Sequence, residues 1–146
     1  MDPLSIIASS IAIATLAAKT CDAFSTLRGI AKTLPGRMHA LNNEVADLEL
    51  VLHEVATAFK ERQDLLVDDH DKEKIPVLLR HVRAKLLELK AIIERFTESA
   101  GRPNSKVSSF FTAREFNKEQ PRLARIQEEI KSVKCSLNIL LGASNS

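Results

Sequence analysis

Four runs of apolar residues, each alternating three- and four-residue steps, constrain this chain to a bundle of helices. Met38, Leu41, Val45, Leu48, Leu52, Val55 and Phe59 form one run. Ile75, Leu79, Val82, Leu86, Leu89, Ile93 and Phe96 form the next, and Leu123, Ile126, Ile130, Val133, Leu137 and Leu140 a third. The N-terminal segment carries Ile6, Ser9, Ile13, Leu16, Thr20, Ala23, Leu27, Ile30 and Leu34 on the same register. This spacing puts every member of a run on one helix face and favours neighbours crossing at about 20°. No stretch sustains period-two alternation. The expected fold is all-α, a four-helix bundle with a hydrophobic N-terminal helix. Leu48, Leu52, Val82, Leu86, Leu89, Ile130, Val133 and Leu137 lie mid-helix on their stripes and are expected in the core.

The breaks agree with the runs. Asp2 can cap a helix that has Pro3 at its first position. Leu34, Pro35 and Gly36 stop it. The acidic stretch 67–71 separates the second and third helices, and Gly101 and Pro103 end the third. Asn117 and Gln120 resemble a capping box that places Pro121 in the first turn of the last helix. The predicted helices are 3–33, 37–66, 73–99 and 118–141, with 108–118 as a short extra helix. Residues 1–141 read as one domain and 142–146 as a tail or linker. A chain of 146 residues is long enough to bury a proper core.

Residues 3–18 contain no charge; every one is aliphatic, Ala, Ser, Thr or the opening Pro. A helix apolar or small on all sides belongs at the centre of a bundle, in lipid, or in each at different times. As the central helix it would have Ile7, Ile11 and Ile13 covered by the other three. Its length of about 24 Å is short for a hydrocarbon core of about 30 Å, which argues against constitutive spanning and leaves conditional insertion. No positive charge precedes the run, so it does not read as a secretory signal. Ser10, Ala14 and Ala18, and likewise Ala8 and Ala12, recur at four-residue spacing, which permits close helix approach in water or in lipid.

Charge is uneven. Residues 36–70 carry three Lys/Arg against eight Asp/Glu, and residues 101–146 carry eight against four. The second and last helices are therefore expected to attract. Arg114, Lys118, Arg122 and Arg125 share one face if their segment is continuously helical. That face fits anionic lipid headgroups; it fits a solvated surface equally, with Glu115 and Glu119 alongside. A net charge of +2 and the lack of Trp and Tyr argue against nucleic-acid binding.

No catalytic arrangement emerges. His39, His53 and His81 have no partner at metal-ligand spacing, and Asp68, Asp69, His70 and Asp71 lack the spaced oxygens and turn glycine of a Ca²⁺ loop. Cys21 and Cys135 make no disulfide framework and read as buried thiols in a reducing, intracellular compartment. The expectation is no enzyme, no metal and no cofactor.

The opening MDPLSIIASSIAIATLAAKT, followed by LRGI and LNNEVADLELVLHEV, resembles the N-terminal domains of fungal STAND (NLR-like) receptors, the HeLo-like family. The closing RLARIQEEIKSVKCSLNILLGAS is similar to that family's last helix. The resemblance implies a signalling or cell-death effector in fungal self/non-self recognition. It also implies a relationship to the bundles of the mixed-lineage kinase-like necroptosis executioner and of some plant resistance proteins. In membrane-active members the N-terminal helix is released and acts on the plasma membrane. Here the matching positions are Leu4, Ile6, Ile7, Ile11, Ile13 and Leu16. The implied partners are anionic membrane lipids, further copies of the chain on activation, and a downstream receptor module. The implied location is cytoplasmic, with movement to the plasma membrane. The sequence shows no nucleotide-binding module, so an excised domain and a stand-alone effector both fit. A non-lytic interaction or oligomerisation module is the alternative.

Overall fold

Four helices account for nearly all of the described backbone: α1 (Pro3–Ile30), α2 (Gly36–Glu61), α3 (Asp69–Ala100) and α4 (Ser105–Asn145). The structure, a computed structural model, describes residues 2–31, 34–61, 69–101 and 105–145. Within these, the side chains of 69–72, 105–113 and 143–145 are not described. The fold is the expected all-α four-helix bundle, and no strand occurs among the described residues.

The caps explain where α1 begins and ends. The Asp2 carboxylate accepts from the Ser5 amide at 2.7 Å, and Pro3 follows at the first helical position. That bond holds the Asp2 pKa below the ordinary carboxylate value. The cap is therefore intact above the usual carboxylate range and is lost as the pH falls through the lowered pKa. At the other end the Ala31 amide, now in extended backbone, closes onto the Leu27 carbonyl at 2.8 Å.

Contacts between helices fix the topology. α1 packs on α2 and α3, and α4 packs on α3 and α2. Among the described residues no close backbone approach joins α1 to α4 or α2 to α3. The order round the bundle is therefore α1, α2, α4, α3, with α2 and α3 at opposite corners. Arg37 bonds Gln127, and Glu44 bonds Lys134, so α2 and α4 run parallel. Ser99 bonds Glu115, Arg95 bonds Glu119 and Glu88 bonds Arg122, so α3 and α4 run antiparallel. The short 31–35 connection makes α1 and α2 an antiparallel pair.

The core follows the spacing in three helices. Every member of the predicted stripes in α2 and α3 is buried, and in α4 all but Leu140, which is partly buried. The eight residues expected mid-core are all 2% exposed or less. The oppositely charged helices do attract. Lys134 lies 2.7 Å from Glu44 and 3.5 Å from Asp47. Burial lowers its pKa, but the two carboxylates outweigh that and hold it above the ordinary lysine value.

Four expectations need correction. α1 is not central: it occupies a corner, touching two helices, and Ile11 is 46% exposed. Its buried stripe is Ile6, Ser10, Ile13, Ala14, Ala17, Thr20, Phe24 and Leu27, so Ser9, Leu16 and Ala23 are each displaced by the next residue. Second, 108–118 is no separate helix. α4 is continuous from Ser105, with Pro121 inside it. A proline there forfeits a helix bond, but Phe116, packed 6.4 Å from Phe96, and buried Leu123 hold both sides in line. Third, Cys135 is exposed and Cys21 only half-buried. Burial, then Glu49 and Asp22, raise the Cys21 thiol pKa, which suits an inert thiol. Fourth, the backbone of α4 continues to Asn145, past the expected end at 141.

Candidate functional site

The faces of α1 differ in chemistry. Its inner face is made of small and large residues in turn. Ile6, Ile13, Phe24 and Leu27 fill the core, while Ser10, Ala14 and Ala17, all 0% exposed, let α1 lie close to its neighbours. Thr20 satisfies its hydroxyl on the Leu16 carbonyl at 2.8 Å. The Ser10 hydroxyl is buried without a partner. An unpaired buried hydroxyl costs about 1–3 kcal/mol, which offsets part of what the close packing at this seat contributes.

The outer face of the N-terminal half is apolar. Leu4 is 77% exposed, and Ala8, Ile11, Ala12 and Thr15 are exposed beside it, ahead of exposed Lys19. Among the described residues α1 is the one helix long and apolar enough to cross a membrane, and 33% of its apolar window is buried. The six positions matched to membrane contact therefore divide. Leu4 and Ile11 face outward, Ile7 and Leu16 lie partly buried against the core, and Ile6 and Ile13 are inside it. The small-residue ladders divide too, with Ala8 and Ala12 outside and Ser10 and Ala14 inside.

Because α4 is continuous, Arg114, Lys118, Arg122 and Arg125 do share a face, and all four are exposed. Arg122 is already engaged. It bonds Glu88 and lies 3.6 Å from Glu119, and these carboxylates raise its pKa. Burial raises the Glu88 pKa, but Arg122 and Lys85 outweigh it and hold that carboxyl below its ordinary value. No acid among the described residues pairs with Arg114, Lys118 or Arg125, so those three make the open part of the face.

The two candidate surfaces lie far apart. α1 and α4 are diagonal, and the start of α1 is level with the end of α2, hence with the end of α4. Glu44 is level with Lys134, so the end of α2 lies level with the last residues of α4, and Lys118 is toward the opposite end of that helix. In the packed bundle one flat membrane does not meet both surfaces side by side.

His39, His53 and His81 are exposed; His53 is 4.0 Å from Glu49 and His81 is 3.9 Å from Glu129. No metal-holding group occurs among the described residues, and Asp68 and the side chains of Asp69, His70 and Asp71 lie outside them. A further surface, the acidic outer face of α2, has a signal that the core pattern conceals. Asp47, Glu54 and Glu61 recur every seven residues on the side away from the core. No protein-family model, curated protein or solved structure matches the chain.

Proposed function

We propose that this chain is an effector domain of the HeLo-like kind, as found at the front of fungal NLR-like receptors. In this reading it acts on the plasma membrane through α1 to trigger regulated cell death. The observation that carries it is the outer face of α1. Leu4, Ala8, Ile11 and Ala12 present an apolar strip on a helix apolar enough for lipid, with Lys19 placed to reach headgroups. Cytoplasmic residence, movement to the membrane and assembly of several copies belong to the same proposal. Full insertion requires α1 to leave its corner, since Ile6 and Ile13 face the core. A corner helix touching two neighbours has less to break than a central one.

Arg114, Lys118 and Arg125 supply first attraction to anionic lipid in this reading, toward the opposite end of the bundle from the start of α1. Their contribution is exposed and therefore salt-sensitive, with a screening length of about 8 Å at physiological ionic strength. The test is dye leakage from anionic vesicles. The intact domain is expected to cause leakage that rises steeply with protein concentration. Arg114→Gln, Lys118→Gln and Arg125→Gln together should weaken vesicle binding with the bundle still folded. No leakage at any concentration, even when copies are joined by a fused oligomeriser, rejects the effector reading. A non-lytic interaction module is then the better account; the core role of Ile6 and Ile13 favours it.

A further inference from the structure

Two outward faces of opposite sign are largely open in this bundle; Asp47 shares Lys134, 3.5 Å away, while Glu54, Glu61, Lys118 and Arg125 have no ion pair among the described residues. On α2 the exposed side holds Asp47, Leu50, Glu54 and Glu61, with Leu50 63% exposed and Asp47 60% exposed. On α4 it holds Arg114, Lys118 and Arg125, then Glu128, with Ile139, 65% exposed, further along. Residues seven apart return to nearly the same side of a helix. The backbone positions of Asp47 and Glu54 are therefore spaced like those of Lys118 and Arg125. Alignment of the two helices in either direction brings two opposite pairs into register at once. Within one molecule the faces point outward from neighbouring corners and do not meet each other.

We propose that the outer face of α2 in one copy docks on the outer face of α4 in a second copy of this chain. Leu50 supplies an apolar contact among the charges. The contact is heterologous, because each copy offers two different surfaces and keeps one of each free. Such contacts build rings or open chains rather than closed pairs. The outer strip of α1 stays uncovered in this assembly. The inference rests on charge complementarity alone and does not depend on lipid, so it stands or falls separately from the membrane reading.

Sedimentation of the intact chain without lipid tests it. The chain is expected to self-associate at low ionic strength and to dissociate at high salt. Asp47→Lys with Glu54→Lys should weaken assembly at least about tenfold, or about 1.4 kcal/mol. Lys118→Glu with Arg125→Glu should do the same. Circular dichroism must show both variants folded; where a reversal unfolds the chain, Asp47→Asn with Glu54→Gln takes its place and should weaken assembly in the same direction. Equal mixing of the two reversed variants should restore assembly, since each then offers the sign the other lacks. A wild-type chain that stays monomeric at low salt overturns the proposal. So does assembly unaffected by either folded variant, or a mixture that remains monomeric.

Discussion

Leu4→Asp combined with Ile11→Asp is expected to abolish vesicle leakage while leaving the fold intact. Both positions are exposed in the packed bundle, at 77% and 46%. Exposed substitutions away from special features change stability by about half a kilocalorie or less. Asp at position 4 also falls in the first turn of α1, where a carboxylate suits the helix dipole. In lipid the balance reverses. A charge near the middle of a membrane helix costs about 2.5–3.5 kcal/mol, which alone lowers the inserted population about a hundredfold. The loss is therefore specific to the lipid step, which Ser10→Leu or Ala14→Leu does not achieve. Those positions are 0% exposed, and enlarging them overpacks the seat of α1. Leakage, vesicle binding and thermal unfolding measured on one preparation check this. Full leakage by the double variant removes the outer face from the mechanism.

Leu86→Ala is expected to cost about 2–5 kcal/mol, the usual range for a core leucine. Leu86 is 0% exposed and lies mid-stripe on α3, the helix that packs on both α1 and α4. For a chain of this size each kilocalorie lowers the melting temperature by about 2–4 °C. Its neighbour in sequence is the control. Leu87 is 43% exposed on the outer side of α3, and Leu87→Ala should change stability little. Denaturant unfolding of the pair measures how sharply the two faces of α3 differ. Equal losses would mean that the helix has no single buried face.

The stripes in α2, α3 and α4 were legible because polar residues stand between their apolar members. Leu48 stands between Asp47 and Glu49 with no competitor for the core side, and Leu86 is distinguished from Leu87 by the three- and four-residue steps that run through it. In α1 nearly every residue is apolar or small, so the pattern does not choose between Leu16 and Ala17. Close approach decides: Ala17 fits against a neighbouring helix, and Leu16 stays at the edge. The start of α4 was hidden for another reason. Asn117, Gln120 and Pro121 are local stop-and-start signals, and they are overridden by Phe96 on Phe116 and by Ser99 on Glu115, 3.0 Å apart. Neither contact is visible to local punctuation. The order of helices round the bundle is likewise absent from any one helix. It depends on which pairs meet, as Glu44 meets Lys134 across α2 and α4. That order separates the strip on α1 from the basic face on α4.

The proposal that α1 meets lipid through its outer face is tested most directly by a nitroxide spin label at position 11. Ile11→Cys, in a chain with Cys21 and Cys135 replaced by Ser, places the label where the packed bundle already leaves room. Its collisions with oxygen and with a water-soluble nickel complex are compared with and without anionic vesicles. Without vesicles the label should be open to the nickel complex. With vesicles that cause leakage, it should become shielded from nickel and accessible to oxygen, as in hydrocarbon. A label that remains open to nickel while dye escapes would contradict the account.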